Sequence, residues 1–399
     1  MAFSRVLWIT DLFPHAGRPY MGRWLADLAA TLSRRIDLLV LSPRYRFLWT
    51  PKGNFLEWYR GQPPRAVFDG AVAHYPVAPA VPAAFYMILQ SASMAWSLLG
   101  AAQREHLRRP FDLVHAQPII PGGVAAAWIA RRLSLPLVLT GQGADVNEFP
   151  KIAHLAPAFR WACRRASRVT AVSADLVRGL DRLGFPGAVW IPNGCRVRPA
   201  PARERTRGRI LFVGLLYERK APEILIAAFA RVRAQLPHAS LDLVGEGPDR
   251  GRLEEQAARL GLSGSVRFHG GLPHERVLDM MELADVFCLP SRREGWPLVA
   301  VEALAAGLPI IGSDIGGIRE IVRPELGRLV PAGNDEELAR ALIASLETSW
   351  DRARIRDEAA KFDWERIADR YVGVYEEAVA AYGRHSRISS FGPRPVGRG

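Results

Sequence analysis

The stretch SRREGWPLVAVEALAAGLPIIGSDIGGIREIV, Ser291 to Val322, sets two helical patterns around one short apolar run. Pro297 suits the first position of a helix, and Gly307 suits the residue just past its end. Val301, Leu304, Ala305 and Leu308 repeat at helical spacing and describe a buried side. LPIIGS reads as a strand, and Gly316-Gly317 precede a further helix. Helix, strand, glycine turn and helix in that order are the alternation of an α/β domain. Glu294 lies where a carboxylate favours the helix dipole. Glu302 falls off the apolar stripe, and helix grammar explains it only as a solvated residue.

The same alternation extends in both directions. RVLWIT, IDLLVLS, DLVHA, LPLVLT and RVTAVS alternate with helical patterns in the first half. RILFVG, LDLVGEG, SVRFHG, ADVFCLP and LPIIGS do so in the second. Continuous β-rich runs between helices predict parallel sheets covered on both faces, hence two doubly wound Rossmann-like α/β domains. The segment IPNGCRVRPAPARERTRG, with Asn193-Gly194 as a turn, marks the junction. We expect a first domain over residues 1–196, a second over 197–362, a C-terminal helix over 363–383 packing back on the first, and a disordered tail over 384–399.

With 399 residues, 49% hydrophobic, 35 Gly and 30 Pro, the chain is long enough for two globular domains and too apolar for extensive disorder. Three scattered cysteines, Cys163, Cys195 and Cys288, suggest reduced thiols in a cytoplasmic setting and offer no metal-ligand spacing. The start MAFSRVLWITDLFP reaches Asp11 too soon for a signal peptide. The net charge of +13 is uneven. Residues 1–200 carry 24 basic against 11 acidic side chains, whereas residues 201–399 carry 29 of each. An anionic partner is therefore expected on the first half.

Several second-half signals fall on one edge of the inferred sheet. Gly214 ends a strand and Lys220 enters the following helix, a pairing that suits an approaching phosphate. Gly245-Glu246-Gly247 end the next strand, either as a plain turn or as another close approach. Leu298 and Val299 can point helix-start amides at a diphosphate, and Glu302 can accept from two vicinal ribose hydroxyls. Glu294 can meet the hydroxyls of a sugar beyond the diphosphate. Two glutamates astride a phosphate-facing helix start predict a nucleotide-sugar site.

EGWPLVAVEALAAGLPIIGSDIGGIREIV closely resembles the signature of family 4 retaining glycosyltransferases, also called group 1 glycosyltransferases, whose Glu–seven residues–Glu pair matches Glu294 and Glu302. TDLFPHAGRPYMGRWLADLAATL, DLVHAQPIIPGGVAA, TGQGADVN, AVSADL, IPNG, GLLYERKA and VGEGP follow in the family's order. The resemblance implies the GT-B fold, two Rossmann-like domains facing each other across a cleft. It implies that Lys220 contacts the donor diphosphate, Glu302 the ribose and Glu294 the transferred sugar. Gly316 and Gly317 would line the donor pocket with Gly214, Leu298 and Val299, and Gly22 would face the diphosphate from the first domain. The chain departs from the family at Leu215 and Arg196, where Arg and Asp are common, and at Gln142, where His is common.

From these residues we expect Lys220, Glu294 and Asp145 to be catalytic, with His115, Gln142 and Asp145 on the acceptor side. No cofactor is expected, and no metal, because Lys220 and the helix-start amides can stabilise the departing diphosphate. RYRFLWTPKGNFLEWYRGQPPR interleaves bases with aromatics, and Gly70 to Gln103 contains no Lys, Arg, Asp or Glu. Three prolines in its first third argue for a buried or interfacial helix over a membrane span. Arg160, Arg164 and Arg168 recur at helical spacing beside Trp161. The expected partners are a nucleotide-sugar, a lipid-linked or polysaccharide acceptor and an anionic membrane surface met by the first domain, without nucleic acid. This places the protein in the cytoplasm, peripheral to the plasma membrane, in cell-envelope polysaccharide biosynthesis. The rival readings are a nucleotide-sugar epimerase, and a non-catalytic protein binding anionic lipid or nucleic acid.

Overall fold

The computed structural model describes residues 4–15, 22–46, 61–80, 86–198 and 205–389. Most of the expected basic-aromatic loop, residues 47–60, lies outside them. Backbone packing divides the chain into two units: Met1–Val172 with Leu176–Ile191 and Ile367–Gly399, and Ser173–Asp175 with Pro192–Arg366. The division falls at Ile191–Pro192, ahead of the expected residue 196.

The strands of the first unit are β1 (Arg5–Ile9), β2 (Asp37–Leu41), β3 (Arg44–Arg46), β4 (Arg65–Phe68), β5 (Ala71–His74), β6 (Val77–Pro79), β7 (Leu113–Ala116), β8 (Leu137–Gly141), β9 (Arg168–Ala171) and β10 (Val189–Trp190). Its helices are α1 (Arg23–Ser33), α2 (Tyr86–Arg108), α3 (Val124–Leu133), α4 (Ala144–Asn147), α5 (Ala156–Arg165) and α6 (Ala174–Arg182). Among the described residues the main sheet has the order β10-β9-β8-β7-β1-β2-β5-β4, and β3 pairs with β6 apart from it. Every main-sheet pairing is parallel except β4 with β5. β5 and β6 open the uncharged run from Gly70 for which a buried or interfacial helix was expected, and the helix, α2, begins only at Tyr86, beyond the three prolines.

The second unit holds β11 (Arg209–Val213), β12 (Ser240–Val244), β13 (Val266–Gly270), β14 (Val286–Leu289), β15 (Ile310–Ser313) and β16 (Gly327–Val330). Between and after them run α7 (Pro222–Gln235), α8 (Arg250–Arg259), α9 (His274–Leu283), α10 (Leu298–Ala305), α11 (Gly316–Ile321), α12 (Asp335–Glu347) and α13 (Arg352–Ala359). This sheet is parallel throughout, in the order β13-β12-β11-β14-β15-β16. Helices from both faces seal it, so Ile210, Phe212, Leu241, Leu243, Val286 and Cys288 are fully buried.

Each sheet has one place where consecutive connections turn to opposite sides. In the first unit β1 lies between β2 and β7, and in the second β11 lies between β12 and β14. Crevices open beyond the carboxyl ends of the strands at such switch points.

The last helix, α14 (Trp364–Ser389), joins the first unit from Ile367 onward. Tyr371 and Tyr375 are both fully buried there. The Tyr375 hydroxyl meets His115 Nδ1 at 2.8 Å, His115 Nε2 meets Thr140 Oγ1 at 2.8 Å, and Thr140 meets Thr170 Oγ1 at 2.6 Å. The helix continues past Arg384 to Ser389, correcting the tail expected from that residue, because extending a formed helix costs far less than starting one. Residues 390–399 lie outside the described residues. Among the described residues no helix is long and apolar enough to cross a membrane.

Candidate functional site

The carboxyl edge of the second sheet collects the predicted donor-side residues. After β11 the chain passes Gly214, makes a short turn at Glu218–Lys220 and enters α7 through Ala221, whose φ of 52° is left-handed. After β14 it passes Ser291 and Glu294 before α10 begins. β11 and β14 are adjacent, so these two loops flank the switch point. There Lys220 Nζ donates to Glu294 Oε1 at 2.7 Å, and the Ser291 hydroxyl donates to the same oxygen at 2.7 Å. The two charged side chains are only 16% and 7% exposed. Ser291 is fully buried and was missed by sequence reasoning. Its signal was a hydroxyl three residues before the first glutamate.

α10 starts at Leu298 after Pro297 as cap, and no side chain caps it. Its first turn therefore retains backbone donors at Leu298 and Val299 that a ligand can take up. Glu302 lies in the same helix with its side chain 13% exposed and Oε1 at 3.5 Å from His274 Nε2. It also lines a small cavity with Arg196, Arg198, Leu278 and Glu282. Arg196, one of the family departures, thus faces the same cavity as Glu302.

The glycines of this edge admit neighbouring backbone. A Cβ at Gly245 would lie 1.9 Å from the Gly214 carbonyl oxygen, and one at Gly247 would lie 2.1 Å from that of Leu216. A Cβ at Gly316 would lie 2.7 Å from the Glu294 carbonyl oxygen, and one at Gly317 would lie 2.3 Å from that of Gly295. Gly316 and Gly317 consequently hold the Glu294 loop against the start of α11. The Gly245–Gly247 turn holds the loop that leads to Lys220.

In the first unit the expected residues separate. Gly22 caps α1 in a left-handed conformation, φ 72°, and a Cβ there would overlap the Leu12 carbonyl. His115 is no acceptor ligand. It is fully buried in mid-sheet, stacked 5.2 Å from Trp8, with both ring nitrogens engaged, and burial pushes its pKa down to about 3. Asp145 is likewise corrected from catalyst to brace. Its buried carboxylate accepts from the amides of Ile119 at 2.8 Å, Gln142 at 2.9 Å and Gly143 at 2.7 Å, which fixes the loops after β7 and β8. Gln142 donates from Nε2 to Gln117 Oε1 at 2.6 Å.

The basic helical face is also redrawn. α5 ends at Arg165, so Arg168 belongs to β9, where it pairs with Glu377 at 3.1 Å. Arg165 instead covers Trp161 at 5.0 Å, and Trp161 packs 5.5 Å from Trp128 on α3. Trp128 is 50% exposed and Trp96, on α2, is 75% exposed. α2 packs on α3, and α3 on α5.

Among the described residues no group of three or more His, Cys, Asp or Glu is placed to hold a metal ion. Two family models match the chain: the Glycosyltransferase Family 4 model over residues 21–199 and the Glycosyl transferases group 1 model over 196–362. A phosphatidyl-myo-inositol mannosyltransferase of Mycobacterium leprae is 32% identical over 70% of this chain and 77% of its own. A D-inositol 3-phosphate glycosyltransferase of Salinispora arenicola is 37% identical over 69% of this chain and 71% of its own. The Anabaena protein HepE, solved with UDP-glucose, superposes with a TM-score of 0.69 at 20% identity, covering 94% of this chain and 99% of its own, a likeness of fold. With both halves matched in order and a GT-B neighbour spanning nearly its whole length, the chain belongs to the family 4, group 1 glycosyltransferases.

Proposed function

We propose that this glycosyltransferase moves a sugar, with retention of anomeric configuration, from a nucleotide-sugar to a lipid-linked or polysaccharide acceptor in cell-envelope glycan synthesis. The observation that carries the proposal is the Lys220–Glu294 pair across the second unit's switch point. A phosphate-seeking cation and a hydroxyl-seeking carboxylate meet where an open parallel sheet takes its ligand. Lys220 and the Leu298 and Val299 amides stabilise charge on the departing diphosphate without a metal. Glu302 accepts from the ribose hydroxyls, Glu294 orients the transferred sugar, and Gly214, Gly316 and Gly317 shape the pocket.

A lipid-linked acceptor is supported by the relative whose name specifies phosphatidyl-myo-inositol, and by the Trp128–Trp161 pair with Arg165 covering Trp161. Indole rings beside guanidinium groups suit the headgroup region of an anionic bilayer, so the protein works at the cytoplasmic face of the plasma membrane. The nucleotide-sugar class is supported by the UDP-glucose held in the HepE structure.

A thermal-shift panel of nucleoside diphosphates and sugar nucleotides tests the donor assignment, since a bound ligand stabilises by mass action. At least one nucleoside diphosphate should raise the melting temperature, and a flat response across the panel refutes the assignment. NMR of the product made from an α-linked donor tests retention, and a β-linked product refutes it. Isomerisation of the sugar nucleotide without acceptor would establish the epimerase in its place.

A further inference from the structure

The turn that carries Lys220 has little of its own to hold it. Glu218 and Arg219 are exposed. Ala221, directly after Lys220, has a left-handed φ of 52°. That conformation is unfavourable for a residue with a Cβ and persists where neighbouring structure enforces it. No side chain caps the start of α7 that follows.

The enforcement comes from the loop after β14, and mostly from one residue. The Arg292 amide donates to the Arg219 carbonyl at 2.8 Å, and Arg292 Nε donates to the Glu218 carbonyl at 3.2 Å. Arg292 Nη2 donates to Glu223 Oε1, in the first turn of α7, at 2.6 Å. These contacts grip the chain on both sides of Lys220. The Glu223 side chain is only 14% exposed, so the pair is partly withdrawn from the screening solvent. The loop that supplies Arg292 is itself fixed: Ser291 donates to Glu294 Oε1 at 2.7 Å, and the close approaches at Gly316 and Gly317 hold the Glu294 and Gly295 carbonyls. Arg292 thus ties a loose turn to a firm loop.

We propose that Arg292 is a positioning residue that sets the Lys220 ammonium for the donor diphosphate, acting through the Glu218–Lys220 turn and not on the ligand, a role that rests on the donor site proposed above. A guanidinium suits the task. Its donors point in fixed directions and serve two acceptors on different elements at once, whereas an ammonium on a flexible stem is a point charge. Placement matters because a shift of about 1 Å is enough to cost a reactive site much of its effect.

Calorimetric titration of the full chain with UDP, GDP and ADP tests this as a double-mutant cycle with Lys220→Ala. For a diphosphate that binds wild type, Arg292→Ala should weaken binding about tenfold, the effect of losing one charge-assisted hydrogen bond. In the Lys220→Ala background the same substitution should change binding by less than about twofold, because the ammonium it positions is gone. Glu223→Gln keeps the side chain's shape and removes its charge. It should weaken binding about threefold with the same dependence on Lys220, and it carries the test if Arg292→Ala does not fold. Equal losses in both backgrounds, as expected if Arg292 met the phosphate itself or merely held the fold, overturn the proposal. Wild-type affinity in the folded variants overturns it equally, and either result leaves the donor assignment standing. Failure of all three diphosphates to bind wild type overturns the donor assignment and this role together.

Discussion

Lys220 Nζ lies 2.7 Å from Glu294 Oε1, so the cation proposed for the diphosphate and the carboxylate proposed for the sugar are in direct contact. Each group keeps the other paired in a poorly hydrated crevice, where a lone charge would be expensive. Donor binding must exchange this contact for contacts to phosphate and hydroxyl. Lys220→Ala should lower turnover by roughly 10²-fold or more, because the departing diphosphate loses its cation while the developing charge remains. Steady-state kinetics with the donor identified by thermal shift measures this, and wild-type turnover removes Lys220 from the site.

Glu302→Ala should act on binding. Its carboxylate is nearly buried and already near His274, so the helix presents an acceptor at a fixed place. Losing two hydrogen bonds from ribose hydroxyls should weaken nucleoside diphosphate binding by about tenfold or more. Calorimetric titration of the variant decides it, and an unchanged dissociation constant shows that the ribose lies elsewhere.

Gly317→Ala tests the packing beneath the site. The added methyl would sit 2.3 Å from the Gly295 carbonyl oxygen, a contact only backbone movement can relieve. The loop that must move carries Glu294. We expect a lower melting temperature together with weakened donor binding, the two losses appearing in one variant. A variant with full donor affinity would show that the Glu294 loop tolerates displacement.

His115 gives a pH dependence of stability. Burial holds its folded pKa near 3, below the ordinary value of about 6.5 in the unfolded chain. Between those values the unfolded state binds the extra proton, so stability rises with pH across the window. It is fully present above about pH 6.5 and falls by up to about 1.4 kcal/mol for each pH unit below, until the folded ring itself protonates. Denaturant unfolding of wild type and His115→Gln at several values between pH 4 and 7 should show one proton less in the variant's slope. Equal slopes mean that the ring is charged in the fold.

The second unit was more legible in the sequence than the first, for a physical reason. RILFVG, ADVFCLP and LPIIGS are continuous because helices cover both faces of their sheet, and Gly245, Gly247, Gly316 and Gly317 at its carboxyl edge stand where backbones touch. In the first unit β3 to β6 are short, and β4 is antiparallel and partly exposed, so no run announced them. His115 and Asp145 drew notice because they stand next to strand ends, and both proved to be engaged internally.

The first unit should dock on an anionic bilayer through α2, α3 and α5. Residues 1–200 carry the whole excess of positive charge, Trp96 on α2 is 75% exposed and Trp128 on α3 50% exposed, and Arg165 on α5 covers Trp161. Each basic residue near anionic lipid contributes about 1 kcal/mol, and the exposed indoles add apolar contact at headgroup depth. An arginine-rich genome would scatter charge over both halves, whereas residues 201–399 carry 29 basic and 29 acidic side chains. A soluble acidic polysaccharide could use the same field, but it would have no use for bare tryptophans. Purified protein should therefore sediment with phosphatidylglycerol vesicles, less with phosphatidylcholine vesicles, and less again in high salt, where the field is screened. Trp96→Ala combined with Trp128→Ala should reduce the bound fraction at low salt while leaving turnover on a water-soluble acceptor unchanged. If wild type remains in the supernatant with anionic vesicles at low salt, the face serves another purpose.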